Sequence, residues 1–408
     1  MSAPASRWPL RILFLTVFID LMGFGIVVPI LAFVSKEYGA SGMTLGLILG
    51  SFSLMQFLFS PVWGRLSDRI GRRPVLMISL FGNVLGFSCF ALSSNVFMLF
   101  ATRMISGIAS ASIPAAQAYI ADMTDESNRA KEMGRISMAF GLGLVLGPPL
   151  GGLLSSLATD LKLRPTVLPG AAAALLSSVA LLMAVFALPE SLRSGPAGES
   201  HARWSILDIE SWKILFRMPL LRLSAGALAV LMCALASLSP ILVMVGRDRY
   251  ALTAREIGWL MGLMGVVVIV LQLGVIHRMS RRFGDVTSGL IGAASLAAGL
   301  LLIPLTASRG VLIAATCLTG VGQGLCLPTM SAFISKVAPP SHRGGILGVS
   351  SSMTALARVI GPALVGLAYD ALHTRGAIGS QVAVVTIGIA MLAMLLRSRE
   401  GAAESHRP

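Results

Sequence analysis

Apolar residues run along this chain in long blocks separated by short charged segments. Twelve blocks stand out, at approximately 12–33, 44–63, 74–93, 96–120, 136–158, 166–188, 223–246, 257–276, 286–308, 310–335, 345–369 and 376–396. A bilayer core is roughly 30 Å thick, so a spanning helix needs about 20 apolar residues. None of the blocks alternates apolar with polar as a membrane strand would. The pattern predicts an all-α integral membrane protein with twelve transmembrane helices. The ninth and tenth are separated only by Ser308-Arg309-Gly310.

The chain repeats. An offset of 214 residues lays Pro114 on Pro328, Arg129 on Arg343, Gly134 on Gly348, Gly147-Pro148 on Gly361-Pro362 and Gly152 on Gly366. The expected organisation is a six-helix half at 1–188, a linker at 189–222 and a second six-helix half at 223–408. In the linker, Ile206, Ile209, Trp212, Leu215 and Phe216 recur at helical spacing, predicting a short amphipathic helix on the inner membrane surface. Paired six-helix halves are a recurring transporter layout, in which rocking of the halves gives alternating access.

Composition narrows the class. Charged residues make up 12% of the 408, against about 25% in ordinary globular chains. That argues against a soluble enzyme and against a disordered chain. The net charge is +14. With the N-terminus inside, 22 Lys and Arg fall on the inner side and 8 on the outer, while Arg103 and Arg358 lie within spans. This bias places both termini in the cytoplasm and the chain, multi-pass, in the cell (inner) membrane. The excess charge then reflects topology and contact with the lipid bilayer, and nucleic-acid binding is not needed to explain it. Arg7 and Arg11 precede a first span with no cleavage site, so no removable signal peptide is expected. Cys89, Cys233, Cys317 and Cys326 lie in spans as small buried hydrophobes, and no cysteine–histidine cluster predicts a metal.

The chemistry available within the membrane is sparse. Asp20 is the one acid inside a span, about eight residues, or roughly 12 Å, from its inner edge. An intramembrane carboxylate is a functional candidate by default. Burial favours its protonated form and a nearby Arg103 its ionised one, so the pair is a candidate for proton coupling; a purely structural bond is the alternative. Phe24, Gln56, Asn83, Gln117, Gln272 and Gln323 are candidates for lining a substrate cavity, and each could equally serve interhelical packing or hydrogen bonding. Arg358, three residues before Gly361-Pro362, either neutralises a helix end or faces that cavity. There is no zinc motif, no nucleophile–base pair and no phosphate-binding glycine loop, so neither an enzyme, a cofactor nor ATP drive is expected.

The loop between the second and third spans reads Gly64-Arg65-Leu66-Ser67-Asp68-Arg69-Ile70-Gly71-Arg72-Arg73-Pro74. Gly64 would let a neighbouring helix approach, Gly71 would supply the turn, and Pro74 suits a first helical position. On spacing alone, Asp68 is either an ion-pair partner or part of a positive-inside anchor. A second glycine pattern follows at Gly134, Gly143, Gly147-Pro148 and Gly151-Gly152, with Arg103 and Gly107 in the fourth span. The first span carries Asp20-Leu21-Met22-Gly23-Phe24-Gly25-Ile26-Val27-Val28-Pro29, and the sixth ends in Leu188-Pro189-Glu190-Ser191.

Together these motifs resemble the major facilitator superfamily, and within it the twelve-span drug:proton antiporters of the tetracycline-efflux type. The resemblance implies that Gly64, Asp68, Gly71, Arg72 and Asp122 build an inner gate relay. It also implies that the 134–152 glycines and prolines bend the fifth span and pack it on a helix of the other half, an antiporter motif. The chain departs from tetracycline carriers in having Gly86, Val268 and Leu296 where those carry an acid, a histidine and an acid, while Gln56 and Gln272 match. The expected function is proton-coupled export of small amphipathic or hydrophobic compounds by a monomer, with a small molecule and protons as partners. Transport of a metabolite such as a sugar or organic acid is the alternative.

Overall fold

A computed structural model describes residues 8–110, 112–124, 126–191, 209–304 and 308–404. Arg7, Ile206 and half of the linker (192–208) lie outside them. Among the described residues every regular element is helical. The chain divides into two units. The first comprises Met1–Ala40, Ser51–Trp204 and Thr253–Gly262; the second comprises Ser41–Gly50, Ser205–Leu252 and Leu263–Pro408.

The first half of the chain forms α1 (Trp8–Glu37), α2 (Gly42–Ile70), α3 (Arg72–Leu92), α4 (Val96–Ile108), α5 (Ser112–Met123), α6 (Glu126–Asp160) and α7 (Val167–Ala187). The second half forms α8 (Ile209–Arg217), α9 (Pro219–Ala236), α10 (Leu238–Tyr250), α11 (Ala254–Val270), α12 (Ile276–Phe283), α13 (Asp285–Leu302), α14 (Arg309–Val337) and α15 (Arg343–Glu404). The linker helix expected around 206–216 is present as α8, where Trp212 stacks on Phe216.

Ten helical stretches among the described residues are long and apolar enough to cross a membrane, against twelve hydrophobic blocks. The difference has local causes. The fourth block is two helices, α4 and α5. Pro114 has no N–H, and its ring would meet the carbonyl of Ser110 in a continuous helix. The chain breaks before it, and the side chains of Trp63 and Ser79 donate to the freed carbonyls of Ile108 and Ala109. The last two blocks are joined in one element of 62 residues, interrupted at Leu372 and at His373, where φ is 50°. The eighth block bends at a π turn, Leu271–Val275, in which Gly274 takes φ 148°.

The core of the first unit is built where α1 meets α6 and α7 and where α3 meets α7. Ile12, Leu13, Val17 and Leu21 are buried there with Val75, Leu76, Tyr119 and Leu188. In the second unit α15 packs on α9, and α13 on α14. The opposite faces of the helices carry exposed Phe97, Phe186, Leu175 and Leu273. Such a density of bare apolar side chains fits a surface whose solvent is lipid rather than water.

Candidate functional site

Asp20 lies in mid-α1 and is 4% exposed. Its Oδ1 accepts a hydrogen bond from Asn83 Nδ2 at 2.8 Å and a longer one from Ser177 Oγ at 3.4 Å. Its Oδ2 accepts from Ser112 Oγ at 2.9 Å. Three helices deliver these donors: α3 brings Asn83, α5 brings Ser112 and α7 brings Ser177. Gly23 lies against α3 and α7, where a methyl group would reach Phe87 at 3.3 Å and the carbonyl oxygen of Ala173 at 3.4 Å. Ser112 is the first residue after the break before Pro114, so the interruption of the fourth span places its hydroxyl on Asp20.

The donor set has a chemical consequence. An amide nitrogen can only donate, whereas a hydroxyl can donate or accept. Asn83 therefore holds Oδ1 as an acceptor in either protonation state. Oδ2 can carry a proton if the Ser112 hydroxyl turns from donor to acceptor. The site is built of neutral groups that accommodate both forms of one carboxyl.

Arg103 does not share this site as an ion-pair partner. It is buried, at 2% exposure, and its guanidinium carbon lies 5.1 Å from the ring centre of Phe52 and 5.7 Å from that of Phe24. The two rings are 5.1 Å apart. Its Nε has no hydrogen-bond partner among the described residues. The arginine is thus held by aromatic faces, which attract a desolvated cation. The expected Asp20–Arg103 pair is not formed: the carboxyl sits on Asn83, Ser112 and Ser177, and the arginine on the rings of Phe24 and Phe52. Phe52, Ser112 and Ser177 were not singled out by sequence, because nothing in an apolar run marks which small hydroxyl or ring will face the charge.

The remaining cavity candidates divide. Gln56 is bonded to Ser110 at 2.8 Å, Asn83 to Asp20. Gln117 and Gln272 are exposed, and Gln323 and Arg358 are half-buried. Gln272 lines a cavity of about 430 Å³ together with Ile276, His277, Ser280, Asp285 and Lys336.

The relay residues do come together. Arg72 donates to Asp68, to Asp122 at 2.9 Å and to Ser67 at 3.2 Å. Glu190 completes the arrangement: it accepts from the backbone N–H groups of Arg72 at 2.9 Å and Arg73 at 3.2 Å. A carboxylate here satisfies free donors in the first turn of α3 and complements its dipole. Ser191 Oγ contacts Asp122 at 3.3 Å, and Tyr119 donates to Pro189 O at 2.8 Å. The Leu188-Pro189-Glu190-Ser191 segment is therefore packed into the same cluster as Arg72 and Asp122.

Glycine roles are partly corrected. Gly71 has φ 107°, and a methyl on it would collide with Glu190. Gly64 has nothing within 4 Å of such a methyl, so it serves no close approach there. Pro74 is the third residue of α3, not the first, which still leaves its missing N–H among those without an intrahelical partner. Gly134 likewise packs on nothing within 4 Å. Gly143, Gly147 and Gly151 press on Leu21, Gly25 and Ile26 of α1, in the same half of the chain. The 145–152 end faces the second half of the sequence: Gly152 lies against Ala254 and Arg255, Pro148 against Gly258, and Val145 and Pro149 against Gly262.

Comparison with known proteins agrees with this architecture. The family model of the Major Facilitator Superfamily matches residues 13–274 and 227–408. The chain is 31% identical over 359 residues to the class C tetracycline resistance protein of Escherichia coli, covering 87% of this chain and 88% of that one. It is 26% identical over 387 residues to multidrug resistance protein 2 of Bacillus subtilis, covering 93% and 94%. Among solved structures it is similar to a bacterial homolog of the human lysosomal transporter Spinster, with TM-score 0.75, 16% identity and 97% and 98% coverage. It is also similar to the human organic anion transporter MFSD10 (TETRAN), with TM-score 0.69, 24% identity and 96% and 100% coverage. At those identities the two structures speak to the fold alone.

Proposed function

Since this chain belongs to the Major Facilitator Superfamily, a multi-pass membrane transporter of small molecules, we propose that it exports amphipathic, uncharged or weakly cationic compounds in exchange for protons. The carrying observation is Asp20, a buried carboxyl held among the described residues by Asn83, Ser112 and Ser177, with a hydroxyl able to reverse its bond when the proton arrives. The relay of Asp68, Arg72 and Asp122, closed by Glu190, serves as the inner gate. The halves at 1–188 and 223–408 move against each other, and the chain works as a monomer in the cell membrane with both termini cytoplasmic.

The relatives named for tetracycline and multidrug resistance support efflux. Tetracycline itself is disfavoured, because the acid and histidine positions of such carriers are Gly86, Val268 and Leu296 here. Leu296 is fully buried, and even a methyl on Gly86 would lie 2.5 Å from Ser106 Oγ. The test is a susceptibility panel across drugs and dyes in cells with and without this gene. Resistance to several cationic or neutral amphiphiles is the expected outcome. Unchanged susceptibility throughout, with uptake of a sugar or organic acid instead, would reject efflux.

A further inference from the structure

The second half has a relay of its own, with the charges exchanged. An offset of 213 carries Ser67 to Ser280, Gly71 to Gly284 and Arg72 to Asp285, and 214 carries Asp122 to Lys336. Gly284 repeats the left-handed turn of Gly71, at φ 82°. Asp285 begins α13 as Arg72 begins α3. Lys336 Nζ lies 2.7 Å from Asp285 Oδ2, and Ser280 donates to Asp285 Oδ1. The inward member is shielded in both halves: Arg72 is 12% exposed and Asp285 6%. The first half sets a cation at a helix N-terminus and needs Glu190 to satisfy the free amides there. The second sets an acid there directly, which suits the helix dipole without a further partner.

What this pair restrains is α12. That helix has no buried residue among those described, it is cut from α11 by the Gly274 break, and the cavity lined by Gln272 and His277 lies beside it. Ser280 of α12 is tied to Asp285, and Asp285 to the end of α14. We propose that Ser280, Asp285 and Lys336 form a second latch that holds α12 closed about Gly274, the counterpart of the Ser67–Arg72–Asp122 relay with its polarity reversed. The proposal rests on the transporter reading and on no particular cargo.

Hydrogen exchange of the full chain in lipid nanodiscs tests it, with the segment 65–73 as internal reference. Asp285→Asn and Lys336→Gln should each raise exchange of the amides 276–284 about five- to tenfold, as expected for loss of a charge-assisted contact. Lys336→Arg should not. The double variant should match the larger single within about twofold, because partners in one contact are not additive. Wild-type exchange in both single variants, or a double effect equal to their product, would overturn the latch. If Asp285→Asn does not fold, Lys336→Gln against Lys336→Arg decides, and equal exchange in that pair refutes the proposal. No cargo enters this readout, so an error in the efflux reading would show separately in the susceptibility panel.

Discussion

Gly147 gives the sharpest test of how the fifth span is packed. A methyl on it would lie 2.6 Å from Gly25 Cα, 2.7 Å from Gly25 C and 2.9 Å from Ile26 N. Carbon–carbon contacts settle at about 3.5–4.0 Å, so α6 and α1 must part by about 1 Å where they touch. Every obstructing atom is backbone, and no rotamer change relieves it. Overpacking of this kind costs about 1–3 kcal/mol. Gly134 provides the control, since a methyl there meets nothing within 4 Å in the same helix. Both changes gain the same helix propensity, about 0.8–1.0 kcal/mol, so their difference isolates the clash. At roughly 2–4 °C per kcal/mol for units of this size, Gly147→Ala should melt about 2–12 °C below Gly134→Ala. Thermal unfolding in detergent, followed by intrinsic fluorescence, reads the gap. Equal melting temperatures would refute the close approach of α1 and α6.

Two further outcomes follow from the geometry. Asp68→Asn should leave the melting temperature within a few degrees, because the Asp68 side chain is 63% exposed and exposed pairs stabilise little, yet it should cut export severalfold; full activity would remove Asp68 from the gate. Gly274→Ala should destabilise the chain by about 1–2 kcal/mol through its φ of 148° alone, since no atom lies within 4 Å of the added methyl, and unchanged stability would mean that the π turn is not needed.

Much of the fold was legible because lipid imposes one rule, a run of some 20 apolar residues per crossing. The glycine and proline offsets pointed to a repeat, and the chain divides into two units whose bounds exchange the short segments Ser41–Gly50 and Thr253–Gly262. The breaks did not, since proline signals them unreliably: Pro114 ends a helix, whereas Pro29, Pro61, Pro328 and Pro362 sit inside continuous ones. What decides is whether neighbours such as Trp63 and Ser79 take up the freed carbonyls. Asp20 and the Asp68–Arg72–Asp122 cluster were visible because charge is rare or patterned there. Ser112, Ser177 and Phe52 were not, because their role comes from helix packing rather than from any local pattern. Arg103 was paired with Asp20 by charge logic alone, and the rings of Phe24 and Phe52 hold it instead.

Proton coupling through Asp20 is the central claim, and Asp20→Asn isolates it. The amide keeps the side chain's size and can still bond Ser112, but it cannot cycle a proton. The measurement is transport in proteoliposomes under an imposed pH difference, using the compound to which the wild-type gene confers the greatest resistance. The variant should bind that compound and exchange it downhill, while uphill transport and compound-induced proton release both vanish. Uphill transport by Asp20→Asn, driven by the pH difference alone, would contradict the account and move coupling to other carboxylates.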